Sequence, residues 1–185
     1  MGTTPNYTWP YPELTDPPDG AGQIKALANA IDTSLKQLID PLNAPALTVV
    51  HQTVAQNIPT ATTTPISFDA EDIDTTDMHS TSTNPSRLTC KKAGWYRLTG
   101  AISFTSNATG RRFANWFING VQVPHTAIGL VPTAANSYVA AATDIIRLAL
   151  NDYVELRGYQ DSGAQLTTIG SSGNRPFATA QYICP

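Results

Sequence analysis

The sequence carries little charge. Asp, Glu, Lys and Arg make up 14% of its 185 residues, against about 25% in typical globular domains. The 11 basic and 14 acidic residues give a net charge of -3 and form no basic stripe. This composition excludes the electrostatic footprint of a nucleic-acid-binding protein and a polybasic membrane anchor, so we expect neither nucleic acid nor a membrane as partner. No apolar run is long enough to cross a bilayer.

Targeting segments and cysteines are also scarce. The N-terminus has neither the cationic nor the apolar region of a secretory signal peptide, so we expect the chain to stay where it is made or to leave as part of an assembly. Cys90 and Cys184 lie far apart and belong to no CxxC pattern. We expect two free, buried or half-buried thiols that act as small hydrophobic residues, and a disulfide between two strand ends is the alternative.

Motifs that carry catalysis or hold a resident metal are missing from the sequence. His51, His79 and His125 lack HxH or HExxH spacing. Gly170-Ser171-Ser172-Gly173 lacks the spacing of a nucleophile elbow. No P-loop, dinucleotide-binding glycine motif or pair of catalytic carboxylates stands out either. We therefore expect no enzymatic activity and no cofactor.

One acidic cluster is a weak candidate for a metal site. Its five members crowd into nine residues without a basic residue between them: Asp69, Glu71, Asp72, Asp74 and Asp77. Oxygen ligands at this density can hold calcium. However, Asp72-Ile73-Asp74 lacks the third acidic position and the turn glycine of an EF-hand. The favoured interpretation is a solvated loop of mutually repelling carboxylates without a bound metal.

Proline and charge set an N-terminal segment apart from the rest. Residues 1–46 contain seven of the fourteen prolines, with two basic and five acidic residues, which leaves nine of each sign for a formally neutral remainder. We predict three parts: an extended attachment arm over residues 1–22, a short helix and linker over 23–46, and a head domain over 47–185.

The arm alternates proline with aromatic residues over positions 5–12. Proline fixes φ and removes a donor, so this composition favours an extended, polyproline-like strand without hydrogen bonds of its own. Burying three large aromatic rings is favourable in free energy, and exposing them to water forgoes this gain. We therefore expect Tyr7, Trp9 and Tyr11 to dock on another surface.

A helix is predicted from Gln23 to Ile39, with Asp19 as its cap and Pro41 as its end. Its apolar residues recur at three- and four-residue steps: Ile24, Leu27, Ala28, Ile31, Leu35, Leu38 and Ile39. A helix this short is marginal alone in water. The stripe therefore needs a partner, which is the downstream domain, a symmetry mate or a larger particle.

From Leu47 onward the sequence is typical of an all-β sandwich or barrel. We predict strands at Leu47–Thr53, Thr62–Phe68, Arg87–Cys90, Trp95–Thr105, Phe113–Ile118, Val121–Val123, Tyr138–Leu150, Tyr153–Gln160, Gln165–Ile169 and Phe177–Ile183. Alternation in the fourth of these places Tyr96, Leu98, Gly100, Ile102 and Phe104 on one face. Asn119-Gly120 predicts a two-residue hairpin, and Asn151-Asp152 predicts another tight turn.

Short segments in the second part of the chain follow one another in a characteristic order. They are Gln56-Asn57-Ile58-Pro59, Ile66-Ser67-Phe68-Asp69-Ala70-Glu71-Asp72, Asp77-Met78-His79, Ser82-Thr83-Asn84-Pro85-Ser86-Arg87-Leu88, Ala93-Gly94-Trp95-Tyr96, Asn119-Gly120, Asn151-Asp152-Tyr153-Val154-Glu155-Leu156 and Phe177-Ala178-Thr179-Ala180-Gln181-Tyr182-Ile183. Residues 47–185 thereby resemble bacterial and phage domains of the complement-globular-head and tumour-necrosis-factor-like jelly-roll superfamily. The resemblance implies a ten-stranded jelly-roll sandwich that forms a homotrimer, with the three N-terminal segments entering together at its base.

The N-terminal segment carries a second resemblance. Thr4-Pro5-Asn6-Tyr7, the run from Tyr11 to Asp19, and the run from Gly22 to Ala28 are similar to N-termini of structural proteins of tailed phages that infect actinobacteria. This implies a particle-attachment arm, and its expected contact residues are Tyr7, Trp9, Tyr11, Ile24, Leu27, Ile31, Leu35 and Leu38. One short helix separates the arm from the head, so a long fibre is not expected.

Together the two resemblances imply a virion structural protein, assembled in the host cytoplasm and placed on the virion surface. We favour a trimeric capsid decoration protein bound to the major capsid protein, because a trimer can sit on a local threefold axis and hold its neighbours with three arms. The alternatives are a minor tail or fibre-tip protein that binds the host surface, for which a host-surface glycan is a further partner, and a bacterial adhesion or glycan-binding module.

Overall fold

The chain forms two compact units, Met1–Pro45 and Ala46–Pro185. They are seen in a computed structural model that describes residues 2–13, 15–16, 19–43, 45–132, 134–135, 137–170 and 173–185. No helix in these ranges is both long and apolar enough to span a membrane.

The first unit consists of a small hairpin and one helix. Strand β1 (Gly2–Thr3) pairs antiparallel with β2 (Pro10–Tyr11), and the helix α1 covers Gly20–Asn43. The arm therefore differs from the predicted strand without hydrogen bonds. It doubles back at Thr8, whose φ is 54°, and the Thr4 hydroxyl accepts the Trp9 N–H. The residues between the prolines thus supply the donors of this turn, because the backbone N–H groups of Thr4 and Thr8 also donate, to the carbonyls of Trp9 and Thr4.

Helix α1 is longer at both ends than the predicted segment. Asp19 is confirmed as its cap, because its carboxylate accepts the Gly22 N–H at 3.0 Å and its carbonyl accepts the Gln23 N–H. The prediction that Pro41 ends the helix is wrong. The helix continues to Asn43, since proline has a helical φ and its missing N–H costs one hydrogen bond in the last turn.

The second unit contains thirteen strand segments among the described residues. In chain order they are β3 (Leu47–His51), β4 (Asn57–Ile58), β5 (Thr64–Pro65), β6 (Ala70–Asp74), β7 (Leu88–Thr89), β8 (Gly94–Phe104), β9 (Arg112–Ile118), β10 (Val121–Gln122), β11 (Ile128–Leu130), β12 (Ser137–Leu148), β13 (Tyr153–Gln160), β14 (Leu166–Thr167) and β15 (Phe177–Cys184). Each of the ten predicted strands has a counterpart here.

These segments build two antiparallel sheets that form a sandwich. The five-stranded sheet has the order β12-β8-β15-β3-β6. The other has the order β10-β9-β13-β5, with β11 also on β9 and β7 also on β13, and β4 pairs separately with β14. The predicted all-β sandwich is confirmed.

The core lies between the two sheets, as the alternation of β8 predicts. Tyr96, Leu98, Ile102 and Phe104 are fully buried on one face of this strand, and Trp116 from β9 meets them from the other sheet. Burial of large aromatic and branched side chains provides the main favourable free energy of folding.

The two predicted turns are confirmed. Asn119 and Gly120 have φ values of 49° and 82° between the paired strands β9 and β10, which is the conformation that a two-residue hairpin requires. Asn151 has a φ of 69° between β12 and β13. Three strand segments of this unit, β4, β6 and β11, are not predicted by the sequence pattern.

Both cysteines are free, as expected, and Cys90 is buried in the core. The expectation of burial is wrong for Cys184, which is exposed near the C-terminus.

Candidate functional surfaces

The three aromatic residues of the arm lie in different environments. Trp9 is half-buried on α1, where its indole N–H donates to the Ser34 hydroxyl at 2.9 Å. Tyr7 stacks on Trp9 with 5.2 Å between ring centroids, yet it is 61% exposed, and Tyr11 is 44% exposed. One ring thus docks on the chain's own helix and two remain open to a partner.

A cavity of about 400 Å³ lies between these rings and the polar side of α1. Its lining from the helix is uncharged: Asn29, Ala30, Thr33, Ser34 and Gln37. Small and polar residues on this side let the arm approach the helix closely and leave a polar recess beside the Tyr7–Trp9 pair.

The apolar stripe of α1 points away from the polar side that contacts the arm. Ile24 and Leu35 are 71% and 48% exposed, whereas Leu27 and Ile31 are half-buried. The side chain of Leu38 lies outside the part of the chain that the structure describes. Attachment through these residues stays a prediction.

The acidic cluster is not the solvated loop that the sequence indicates. Residues Ala70–Asp74 form β6, the edge strand of the five-stranded sheet, and a bulge opposite Val49 and Val50 accommodates Asp72 as the extra residue. The carboxylates are spread along this edge, four of them contact separate groups, and the exposed Asp77 bonds to none of the described residues, so they do not converge on one point.

Asp69 fixes the loop that follows β3. Its carboxylate accepts the Thr53 hydroxyl at 2.5 Å, the Thr53 N–H at 2.6 Å and the Val54 N–H at 3.1 Å. Burial alone raises the pKa of Asp69, but these hydrogen bonds outweigh it and leave the pKa lowered. The charged form is therefore the one that the fold stabilises.

The other carboxylates bind neighbouring groups of the same domain. Glu71 lies 2.7 Å from Nδ1 of the buried His79, and Asp72 lies 3.0 Å from Nδ1 of His51. Asp74 accepts the Thr48 hydroxyl and the N–H groups of Met78 and His79. Among the described residues no group of three or more histidine, cysteine or acidic side chains could hold a metal ion.

The five-stranded sheet has an open face that carries large apolar side chains. Trp95 is 40% exposed, Ile145 50% and Ile183 43%. The register places them on three adjacent strands at one end of the sheet, because Arg147 pairs with Trp95 and Cys184 pairs with Trp95 from the other side. The exposed side chains of Arg97 and Arg147 lie on the same face, since Arg97 pairs with Ile145. Towards the middle of the sheet, Thr99 lies between Thr143 and Thr179 of the neighbouring strands, and all three side chains are uncharged.

Part of this open face can be predicted from the sequence, although none of its residues is among the predicted site residues. Alternation along β8 puts Trp95 on the face of the strand that points away from the core. The same two-residue period therefore identifies both the core residues and this outward apolar side chain. What the sequence does not reveal is that Ile145 and Ile183 join Trp95, because this depends on strand order.

The outward face of the other sheet carries a network of charges and rings. The side chain of Glu155 is 5% exposed, and it accepts the Ser86 hydroxyl at 3.0 Å and Nε of Arg157 at 3.0 Å. Arg157 lies over the Phe117 ring, 4.2 Å from its centroid. Arg87 contacts Glu155 at 3.4 Å and lies over the Tyr153 ring at 4.0 Å.

The fold of the head matches solved structures. The chain is similar to the globular domain of a zebrafish complement 1qA protein, with a TM-score of 0.54 and 14% identity over 75% of this chain and 97% of that chain. It is also similar to murine APRIL at pH 8.5, with a TM-score of 0.51 and 10% identity over 73% of this chain and 98% of that chain. A second murine APRIL structure, at pH 8.0, matches with a TM-score of 0.52 and 9% identity over 74% of this chain and 98% of that chain.

These likenesses establish the fold and confirm the predicted complement-globular-head and tumour-necrosis-factor-like jelly roll. No protein-family model matches the chain. No curated protein matches it either.

Proposed function

We propose that the chain is a structural protein without catalytic activity, a homotrimer whose jelly-roll heads pack through the open face of the five-stranded sheet. We further propose that its N-terminal unit fixes the trimer to a virion, on the capsid surface, as a decoration protein bound to the major capsid protein.

The open face is the observation that carries the trimer. Trp95, Ile145 and Ile183 expose a large part of their apolar surface at one end of a sheet whose centre is threonine. Exposed aromatic and branched apolar side chains on a soluble domain mark an interaction site. Arg97 and Arg147 lie among them on this face, and arginine is enriched together with aromatic residues at protein interfaces. A second and third copy of a neutral domain can approach this face without net repulsion.

The N-terminal unit supports the attachment role. It exposes Tyr7, Tyr11, Ile24 and Leu35, which are four of the residues that the resemblance to phage structural proteins implies in particle contact. The exposed part of the apolar stripe, beside two open aromatic rings, gives a particle protein several anchors of the kind that dominate binding energy.

Size-exclusion chromatography with light scattering tests the trimer. The full chain should give about three times 19.8 kDa. Ile145→Lys places a charge in the open face and should yield folded monomers, because a buried unpaired ammonium is costly. Val121→Lys is the matched control: Val121 is 71% exposed on β10 in the other sheet, and this variant should stay trimeric. A monomeric parent chain, or a trimeric Ile145→Lys, would contradict the proposal.

Electron microscopy of intact particles tests the placement. Density for three heads on the capsid shell is the expected result, and density at the tail tip would replace the decoration role with that of a tail protein. Deleting residues 1–20 should leave the head folded and trimeric and abolish incorporation, because the exposed rings and the helix cap are then lost. Normal incorporation of the deleted chain would refute the attachment role.

A further inference from the structure

A polar cavity of about 300 Å³ opens on the head domain between three connections. They are the long segment between β6 and β7, the link between β7 and β8, and the turn between β12 and β13. Arg87, Lys91, Asn84 and Asn151 line it together with Tyr153 and Asp77. Its volume lies at the lower end of the range for small-molecule sites.

Arg87 is held in a fixed orientation at this cavity. Its guanidinium lies 4.0 Å from the centroid of the Tyr153 ring, and its Nε lies 3.4 Å from the buried carboxylate of Glu155. Glu155 is fixed in turn by Ser86 and by Arg157, so it cannot turn away from Arg87. The Arg87 side chain is 38% exposed, and both its Nη groups make no hydrogen bond within the described part of the chain. These donors are therefore ordered in advance and available.

The remaining donors are also unused. Lys91, Asn84 and Asn151 have exposed side chains that bond to none of the described residues. Asn84 and Asn151 have φ values of 51° and 69°, in the left-handed region where asparagine is favoured among residues with a side chain. Asp77 is the carboxylate in the lining and is exposed, so the two cations outnumber it.

From this geometry we infer that the cavity binds an acidic saccharide, with the sugar's carboxylate on Arg87 and Lys91 and its hydroxyls on the asparagine amides. A guanidinium with both Nη groups available matches a planar carboxylate, and Lys91 adds a second positive charge. Amide groups both donate and accept, as hydroxyls do, whereas a simple anion can only accept and would leave the amide carbonyl oxygens unused. The site belongs to one head domain, so the inference is independent of the trimer and of particle attachment.

Saturation-transfer NMR and a titration of the full chain with methyl β-D-glucuronide test the inference. We expect a dissociation constant of about 1 mM or tighter, and binding of methyl β-D-glucoside at least about tenfold weaker because it lacks the carboxylate. Lys91→Gln should weaken glucuronide binding by about tenfold, since the lost contact is a charge-assisted hydrogen bond. Lys92→Gln is the matched control, because Lys92 lies over the Tyr182 ring and outside the cavity lining.

Arg87→Lys keeps the charge and removes the planar fork, so it should also weaken binding, with the melting temperature measured in parallel to confirm folding. Equal affinity for the glucuronide and the glucoside would overturn the inference, as would no glucuronide binding at about 20 mM, well above the range expected for a site of this kind. Inorganic sulfate that binds as tightly as the glucuronide would replace the saccharide site with a simple anion site. Unchanged binding in Lys91→Gln would place the ligand elsewhere.

Discussion

At the scale of single residues, the carboxylates of the acidic cluster show how a polar sequence run can be structural. Asp69 accepts three hydrogen bonds from two consecutive residues, and Asp74 accepts a hydroxyl and backbone N–H groups around the following turn. These two carboxylates take the place of missing backbone acceptors in a segment that has few ladder partners. The charge density that resembles a metal site is therefore used within the fold.

Asp69→Asn should destabilise the head at neutral pH, by about 1 kcal/mol given the exposure of the site. The pKa of Asp69 is lowered in the folded chain relative to 3.8. Its contribution to stability is therefore fully present above pH 3.8 and is lost as the pH falls through the lower folded pKa. In urea unfolding at several pH values, the unfolding free energies of the variant and the parent should become equal at acidic pH.

Asp77→Asn is the control for this comparison, because it removes the same charge from an exposed side chain that bonds to none of the described residues. Its unfolding free energy should match the parent's at neutral pH. If both substitutions lowered the unfolding free energy equally, the loss of stability in Asp69→Asn would come from the change in net charge and not from the hydrogen bonds of Asp69.

At the scale of secondary-structure elements, the strands and turns marked by a clear sequence pattern were predictable. The elements that form only against a tertiary partner were not. The alternation of β8 and the Asn119-Gly120 hairpin follow from local stereochemistry, and both are confirmed. Strand β6 has polar side chains on both faces, so no period marks it. It becomes a strand because β3 offers a free edge. The polar cavity unites Arg87 with Asn151 through the pairing of β7 with β13, which no local pattern encodes.

The contact between the arm and α1 also belongs to this scale. Trp9→Ala removes the ring that covers α1 and the hydrogen bond to Ser34, so the amides of Gly20–Asn43 should exchange hydrogen faster, by about tenfold for a loss near 1.4 kcal/mol. Hydrogen exchange with mass spectrometry of the full chain measures this directly. Lys25→Ala, on the opposite side of the helix, should leave the exchange unchanged. Identical protection in Trp9→Ala and the parent would show that the arm does not stabilise the helix.

At the scale of the whole molecule, two units of different character share one chain. The head has a buried core of its own, with Trp116, Tyr96 and Phe104 between two sheets. The N-terminal unit has one helix and a two-stranded hairpin, and its largest apolar side chains stay partly exposed. Because the buried core belongs to the head alone, the head should be stable without the N-terminal unit.

The fragment 46–185 should therefore melt at the temperature of the full chain's main transition and keep the trimeric mass. Because the head has nine charges of each sign and the proposed contact is apolar, this mass should not change between about 50 mM and 500 mM salt, conditions that alter charge screening strongly. Calorimetry and light scattering check the two statements. A fragment that unfolds below the full chain, or a trimer that dissociates in high salt, would contradict them.

The acidic edge strand has a consequence for the behaviour of the protein at high concentration. An unprotected edge of a five-stranded sheet is a template on which another chain can add a strand and begin to aggregate. Here that edge carries Glu71, Asp72 and Asp74 and is bent by a bulge. Any second strand would have to bring its backbone against carboxylates already turned to their own histidines and amides. We therefore expect that crowded copies of this head do not add to one another at the β6 edge.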